Sequence, residues 1–230
     1  MTMPRLLATE LMDDDGASGD PAEWRGTIDD LARINAALGG RRLLRDEVSR
    51  LATPPRTVID VACGGADMPV YLLDWLRSRG QRTTCVALDR SQKILDAAAA
   101  RIGRRDDIML VRGDAASLPF ADGTFDLATM NLALHHFEPP HAVRVLRELA
   151  RVARTVIVND LRRSRIAWAF ARFGFPLFTR NRFILHDGPV SALRAYTTAE
   201  VRSLAESAGW TRIDINRYFA FRLALAGGRP

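Results

Sequence analysis

The chain has 230 residues, of which 47% are hydrophobic and 26% are charged, and its formal net charge at pH 7 is +6. This length and composition suit a single enzyme domain with a sizeable buried core. The chain contains no run of 18 apolar residues and does not begin with a signal-peptide pattern, so we expect neither a membrane-spanning helix nor secretion. Its two cysteines, Cys63 and Cys85, form no CxxC or Cys/His cluster, which predicts no metal site, no disulfide and a cytoplasmic location.

The N-terminal region is predicted to be helical. One helix over 21–38 carries an apolar stripe, and a second spans about 41–51. Asn35 is a polar side chain within the first stripe, and its amide needs hydrogen-bond partners that a cofactor, a substrate or a backbone group would supply. We expect residues 1–54 to form a helical cover over a domain formed by residues 55–230.

From residue 56 onward, strands and helices alternate, which predicts a mostly parallel sheet with helices on both faces. In chain order we predict strand 56–62, helix 67–79, strand 83–89, helix 91–103, strand 107–112, strand 124–131, helix 139–150 and strand 154–160. A helical insertion over about 163–186 follows, and then a helix from Thr198, its N-cap, to Gly209. Two closing strands, 210–217 and 219–226, would form an antiparallel hairpin at the edge of a seven-stranded sheet.

The first predicted strand, Val58–Val61, runs into a turn of small residues, Ala62–Ala66, that opens a helix at Asp67. Such a turn exposes backbone N–H groups and the positive end of a helix dipole to a ligand. The second strand ends in Asp89, and an acid at this place can accept both hydroxyls of a ribose. The turn lacks the G-x-G-x-x-G pattern of a dinucleotide site, and Asp67 would repel a pyrophosphate but pair with an ammonium group.

Two further motifs follow in order, Val111-Arg-Gly-Asp-Ala115 and the stretch from Asn131 to Phe137 that ends His-His-Phe. With these motifs, the region from about Arg56 to Asp160 resembles the class I S-adenosylmethionine-dependent methyltransferases. The resemblance implies a Rossmann-like α/β fold with a seven-stranded sheet, and S-adenosylmethionine as the cofactor.

The resemblance also implies a cofactor site at the carboxyl ends of the strands. It assigns Asp60, Ala62, Gly64, Gly65 and Asp67 to the methionine end, Asp89 with Arg90 to the ribose, Asp114 and Ala115 to the adenine, and Asn131 and Leu132 to the sulfonium. Ala62 and Ala66 stand where the family usually has glycine, and we expect alanine there because it tolerates a negative φ.

Methyl transfer is an in-line displacement, so the enzyme must align the acceptor and, for a hydroxyl or an acidic carbon, remove a proton. His135 is the favoured base because it begins the loop that faces the cofactor methyl. We expect its neighbour His136 to pack under the sheet. His186, beside Asp187, is the competing base, and each histidine has the alternative of a hydrogen-bonded structural role.

The insertion leaves from the same rim of the sheet as Asp160, so it is predicted to cover the acceptor. Phe173, Phe175 and Phe178 of the insertion are the expected lining of the substrate pocket. Asn35 and Asp160 are expected to join them, and Asp160 would equally suit a helix cap.

Between Arg147 and Arg182 the sequence has nine arginines and only two acids, with five aromatic residues interleaved from Trp168 onward and a sixth, Phe183, directly after. Four interpretations fit this pattern: an RNA-binding surface, a segment resting on an anionic membrane, a lid over a lipophilic substrate, and a solvated arginine face over a packed aromatic core.

Enzymes that methylate the exocyclic amines of bases carry an Asn/Asp-Pro-Pro-aromatic motif, but this chain reads Asn131-Leu-Ala-Leu134. Nucleic acid is therefore disfavoured, and the pattern resembles bacterial small-molecule methyltransferases of polyketide and phenolic-lipid tailoring. We predict methylation of a small aromatic or lipophilic acceptor at a hydroxyl. RNA methylation, C-methylation of a small molecule and cofactor binding without catalysis stay as alternatives, and the oligomeric state is left open.

Overall fold

The computed structural model describes residues 3–6, 8–13 and 21–229. Its strands are β1 Thr57–Val61, β2 Thr84–Asp89, β3 Ile108–Arg112, β4 Phe125–Asn131, β5 Ala153–Leu161, β6 Arg212–Tyr218 and β7 Arg222–Gly228. They form one sheet in the order β3-β2-β1-β4-β5-β7-β6, in which β1 to β5 are parallel and β7 is antiparallel to both neighbours. The predicted Rossmann-like sheet with its C-terminal hairpin is confirmed.

The helices are α1 Pro21–Ala37, α2 Gly40–Val48, α3 Asp67–Ser78, α4 Gln92–Ile102, α5 Pro139–Val152, α6 Arg165–Ala169, α7 Arg182–Arg194 and α8 Thr198–Ser207. Successive residues of a strand point to opposite faces of the sheet, so the side chains of the buried strands enter two separate cores. Val58 joins Leu44 of α2 and Leu72 of α3 on one face of the sheet, whereas Ile59 joins Leu146 of α5 on the other. The α2 helix therefore shares a core with the sheet.

The insertion differs from its prediction. After α6 it continues as a π-helical turn, Phe170–Gly174, and a 3₁₀ turn, Phe175–Leu177. The α7 helix then runs beyond the predicted end at 186, through Pro189 to Arg194. The burial of Phe183 and other apolar side chains on one face of α7 offsets the backbone hydrogen bond that proline removes.

The N-cap of α8 is Thr197 and not the predicted Thr198. The Thr197 hydroxyl accepts a hydrogen bond from the Glu200 amide, and the Glu200 carboxylate accepts one from the Thr197 amide. This reciprocal capping box fixes the start of the helix one residue earlier.

Both cysteines are buried and unpaired. Within the part of the chain that the structure describes, none of the helices has the length and hydropathy needed to cross a bilayer.

Candidate active site

A cavity of about 1200 Å³ lies over the carboxyl ends of β1, β2, β4 and β5. The loops after these strands form its floor, and α1, the insertion, α7 and the turn between β6 and β7 form its walls. Open α/β sheets bind their ligands at this rim. The cavity therefore lies where the sequence motifs predict a ligand.

The turn after β1 has an unusual backbone. Ala62, Gly64 and Ala66 all have positive φ, at 57°, 53° and 57°. The expectation that the two alanines stand at negative φ is wrong, because they adopt the left-handed conformation, which costs an alanine about 1–2 kcal/mol. A Cβ built on Gly64 would meet no atom within 4 Å. The turn thus leaves open space in which a ligand can approach the backbone.

Asp89 lies half-buried at the end of β2 and lines the cavity. One carboxylate oxygen accepts a hydrogen bond from the Gly64 amide at 3.1 Å, and the other accepts one from the Ser91 amide at 3.0 Å. These bonds hold the carboxylate in one orientation, and each oxygen keeps a further lone pair for a hydroxyl donor. Arg90 follows it on the exposed rim of the same cavity.

Asp114 is exposed beside the buried Ala115, and both residues line the cavity. One Asp114 oxygen accepts a hydrogen bond from the Ala116 amide at 2.9 Å. The arrangement leaves its second oxygen to accept from an exocyclic amine, as the adenine assignment requires.

A chain of hydrogen-bonded polar side chains runs from β1 to β7; of these, Asn131 and Arg222 line the cavity, whereas Asp60 and Asn159 are buried outside its lining. The Asp60 carboxylate accepts hydrogen bonds from the Thr129 hydroxyl and the Asn131 amide group. Asn131 in turn accepts from Asn159 at 3.1 Å, and Asn159 accepts from the Arg222 guanidinium at 3.2 Å. Burial raises the pKa of Asp60 to about 7, although these hydrogen bonds oppose the shift. Asp60 therefore changes its charge near neutral pH.

Arg222 is a residue that no sequence motif identified. Its side chain is fully buried, lines the cavity and donates a second hydrogen bond to the Leu38 carbonyl at the end of α1. Burial lowers its pKa to about 10, while the charges of Asp160 and Asp67 favour its protonated form. Arg222 thus places a positive charge in the cavity wall and ties α1 to the sheet.

Asn35 is buried, as expected, and its side-chain amide donates to the Asp67 carboxylate at 3.3 Å. Both residues line the cavity. The contact links α1 to the start of α3 and turns the Asp67 carboxylate towards the position predicted for the methionine end.

His135 is buried and lines the cavity. Its Nδ1 lies 2.6 Å from one oxygen of Asp160, and its main-chain N–H donates to the other at 2.9 Å. Burial alone would raise the pKa of Asp160, but the charge and hydrogen bonds of His135 outweigh it and hold that pKa below its ordinary value. The ionised Asp160 favours the tautomer with hydrogen on Nδ1, so Nε2 keeps its lone pair.

The loop that carries His135 is held by two arginines from outside the motif region. Arg5 donates to the carbonyls of His135 and Phe137, each at 2.9 Å, and Arg194 donates to the His136 carbonyl at 2.7 Å. Three successive carbonyls are therefore bonded to guanidinium groups. Sequence reasoning missed both arginines because neither belongs to a recognisable pattern.

His136 does not pack under the sheet as expected. It lines the cavity beside His135, with ring centroids 4.4 Å apart, because a 3₁₀ turn over Leu134–His136 places both rings on the same side. The Glu10 carboxylate lies 3.6 Å from Nε2 of His135 and 3.7 Å from Nε2 of His136. Glu10 is a further cavity residue to which the sequence assigned no role.

His186 is exposed on α7 and is not part of the cavity lining. Its Nδ1 contacts the Asp187 carboxylate at 2.8 Å, but that carboxylate also accepts from the amides of Leu11 and Met12. Asp187 thus anchors the N-terminal segment, and the structure does not bring His186 to the predicted acceptor.

The three phenylalanines that were predicted to line the pocket lie in different environments. Phe175 lines the cavity, whereas Phe173 and Phe178 are exposed and do not. Their places are taken by Phe170 and Phe183, which both line it. The insertion winds around the cavity as a helix, so aromatic residues two or three positions apart face different directions.

Residues 58–155 match the protein family described as a methyltransferase domain. The chain contains a methyltransferase domain. The predicted cofactor residues from Asp60 to Leu132 all lie inside this match, and the resemblance to S-adenosylmethionine-dependent methyltransferases is confirmed. Arg5, Glu10 and Arg222 lie outside the methyltransferase domain match.

Curated relatives are quinone methyltransferases. The demethylmenaquinone methyltransferase of Bacillus licheniformis is 34% identical over 112 residues, which cover 48% of this chain and 46% of the relative. The 2-phytyl-1,4-naphtoquinone methyltransferase of Synechococcus elongatus is 36% identical over 104 residues, which cover 44% of this chain and 42% of the relative. The matched region thus spans about half the length of these relatives.

The fold itself extends beyond that region. A crystal structure of an S-adenosylmethionine-dependent methyltransferase from Aquifex aeolicus superimposes with a TM-score of 0.66 at 19% identity, covering 91% of this chain and 98% of that one. The methyltransferase domain and the elements around it therefore share one known architecture.

Proposed function

We propose that this protein transfers a methyl group from S-adenosylmethionine to a small, lipophilic aromatic acceptor that bears an ionisable hydroxyl. The observation that carries the proposal is the buried Asp160–His135 pair, in which His135 lines the same cavity as Asn131, whereas Asp160 is buried outside the lining. A buried base beside the predicted methyl position is what an acceptor with a removable proton requires.

The residues present fit the cofactor. The open turn at Gly64 admits its methionine end, Asp67 supplies negative charge for its cationic groups, and Asp89 and Asp114 offer carboxylate oxygens to the ribose and the adenine. Asp60 is buried outside the cavity lining and reaches the cavity through its hydrogen bond with Asn131. When bound, S-adenosylmethionine supplies a methyl group already activated by a positively charged sulfur.

His135 is the proposed base. Its Nε2 accepts the proton of the acceptor hydroxyl, and the ionised Asp160 stabilises the imidazolium that forms, without taking the proton itself. A phenol has a pKa near 10, so partial proton transfer in the transition state raises the nucleophilicity of its oxygen. Alignment of the acceptor contributes on the order of 7–11 kcal/mol in addition.

The size and lining of the cavity support a bulky acceptor. About 1200 Å³ exceeds the usual size of a site for one small molecule, so cofactor and acceptor fit together. Apolar side chains such as Trp24, Ile184 and Phe221 line the part above the floor. The quinone relatives favour the same kind of acceptor.

The test is a mass-spectrometric assay of the purified protein with S-adenosylmethionine and a panel of alkyl phenols and reduced quinones. We expect a product heavier by one methylene, loss of turnover in His135→Gln and normal turnover in His186→Gln, the matched control outside the cavity. Absence of product with every acceptor, despite measurable cofactor binding, would overturn the proposal.

Methylation of a ring carbon is a second candidate, because the curated relatives act by name on demethylmenaquinone and phytylnaphthoquinone. A proton must leave the acceptor in this reaction too, so His135 would keep its role. Proton and carbon NMR of the product distinguish the two outcomes, since an O-methyl group and an aryl C-methyl group resonate far apart.

A further inference from the structure

The segment 165–178 of the insertion presents its large apolar side chains to solvent. Ile166, Phe170, Phe173 and Leu177 follow one another at spacings of four, three and four residues, which places them on one side of the helical segment. Their exposed fractions are 69%, 38%, 65% and 80%, and the adjoining Phe178 is 78% exposed. We call these five residues the apolar ridge.

The opposite side of the segment is the one that packs on the protein. Ala167 and Ala171 are buried there against Ala192 of α7, with Trp168 and Phe175 packed beside them. A surface helix normally buries its largest apolar residues and exposes small or polar ones. Although Trp168 and Phe175 pack inward, this segment leaves its other large apolar side chains exposed, so the apolar ridge faces away from the core.

Basic residues surround the apolar ridge. Arg165, Arg172 and Arg180 are exposed, and the Arg172 guanidinium lies over the Phe173 ring at 5.6 Å. From Leu161 to His186 the sequence contains no Asp or Glu. The segment therefore combines aromatic and aliphatic side chains with positive charge and has no acidic side chain of its own.

We propose that segment 165–180 docks on an anionic lipid bilayer. Large apolar side chains enter the boundary between headgroups and acyl chains, and arginines around them bind lipid phosphates, which is the complementarity of a peripheral membrane segment. The same segment lines the cavity through Ala167, Phe170, Ala171 and Phe175. Docking would place the cavity wall against the bilayer that dissolves a lipophilic acceptor. This last step rests on the proposed function.

The test is co-sedimentation of the full chain with vesicles, without cofactor or acceptor. We expect binding to vesicles of about three parts phosphatidylcholine to one part phosphatidylglycerol, and about ten-fold weaker binding to phosphatidylcholine alone. Binding should fall in about 0.5 M salt, because the charge component is screened.

Two pairs of variants separate the ridge from the rest of the surface. Phe173→Ser combined with Leu177→Ser should weaken vesicle binding about ten-fold, while Met109→Ser, exposed on β3 at the far edge of the sheet, should not. Arg172→Gln combined with Arg180→Gln should reduce binding to anionic vesicles but not to vesicles of phosphatidylcholine. Arg202→Gln on α8 should leave the binding to both unchanged. If the double serine variant fails to fold, Leu177→Ser alone, 80% exposed, serves instead.

Equal vesicle binding by the native chain and the ridge variants would overturn the proposal. So would a native dimer that the ridge variants dissociate, or RNA binding that displaces vesicles, since the ridge would then serve a protein or a nucleic acid. Failure of the proposed function is distinguishable from failure of the docking. Because a short, water-soluble phenol does not need the bilayer, the native chain and the ridge variants should turn it over equally. Vesicle binding without any turnover would leave the docking standing and remove the catalytic proposal.

Discussion

Asp160 binds His135 through both of its carboxylate oxygens, one to the imidazole Nδ1 and one to the main-chain N–H. The two contacts fix both the ring orientation and the backbone from which the ring projects. Asp160 stands at the end of β5 and His135 just after β4, and these two strands are parallel neighbours. The parallel pairing of β4 and β5 therefore brings the proposed base and its carboxylate partner together.

Replacing His135 by Gln should lower turnover by about 10²- to 10⁴-fold with little change in cofactor affinity, because proton removal is lost and the cofactor contacts are kept. Steady-state kinetics and calorimetry of cofactor binding check both points. Near-native turnover of His135→Gln would show that His135 is structural.

Asp89→Ala should weaken S-adenosylmethionine binding by roughly 10- to 100-fold, because charge-assisted hydrogen bonds of about 1.5–3 kcal/mol are lost. Calorimetry measures the affinity, and Asp214→Ala, an exposed acid on β6, is the matched control. Unchanged affinity in Asp89→Ala, or tight binding of a nicotinamide dinucleotide by the native chain, contradicts the ribose assignment.

Asp60 should make the free energy of unfolding fall as the pH rises. Its folded pKa is raised to about 7, so between about pH 4 and pH 7 the folded state holds a proton that the unfolded state has released. The stability that this proton confers is complete below the unfolded pKa and is lost as the pH rises through the folded pKa.

The variant Asp60→Asn isolates this effect. Without cofactor, the stability of the native protein relative to Asp60→Asn should decline by about 1–4 kcal/mol between pH 5 and pH 8. Denaturant unfolding at each pH measures it. Parallel stability profiles for the two proteins would mean that the Asp60 pKa is not raised.

Arg222→Met should destabilise the fold by about 2–4 kcal/mol, because the Leu38 carbonyl and the Asn159 side chain lose a charged donor in a buried place. Thermal unfolding compares it with Arg212→Met, an exposed position on the neighbouring strand, which should change stability by less than about 0.5 kcal/mol. A stable Arg222→Met protein would show that α1 is held by its apolar contacts alone.

Chelation by EDTA should leave turnover unchanged, whereas added Zn²⁺ should inhibit. Donor atoms of Glu10, His135 and His136 lie within 4.8 Å of one another, so an added ion can bind them and occupy the lone pair of His135. The variant His136→Gln should be less sensitive. Activity lost on chelation and restored by a metal would contradict the proposed base.

The sequence predicted those parts of the site that depend on local pattern. Asp89 ends a predicted strand, and parallel strands bring such ends to one rim, so its place at the rim followed from the strand pattern. The role of Asp60 came from the resemblance to the methyltransferase family. Asn35 was recognisable because a polar residue interrupted an apolar stripe.

Other parts depend on contacts between distant segments, and no local pattern encodes them. Arg5 and Arg222 act on carbonyls more than a hundred positions away in the chain. The failure at Ala62 is different: the turn between β1 and α3 holds this alanine in the left-handed conformation, against the preference of the residue. The continuation of α7 through Pro189 likewise reflects packing that overrides local propensity.

The bonds from Arg5 to the carbonyls of His135 and Phe137 limit how far this protein can be divided into modules. A fragment that begins at residue 55 would keep all the motifs by which the methyltransferase domain is recognised. It would nevertheless lose Arg5, Glu10 and the whole of α1, and with them one wall of the cavity and the hydrogen bonds that hold the loop of His135. A fusion enzyme that uses this domain therefore has to include the N-terminal segment as well.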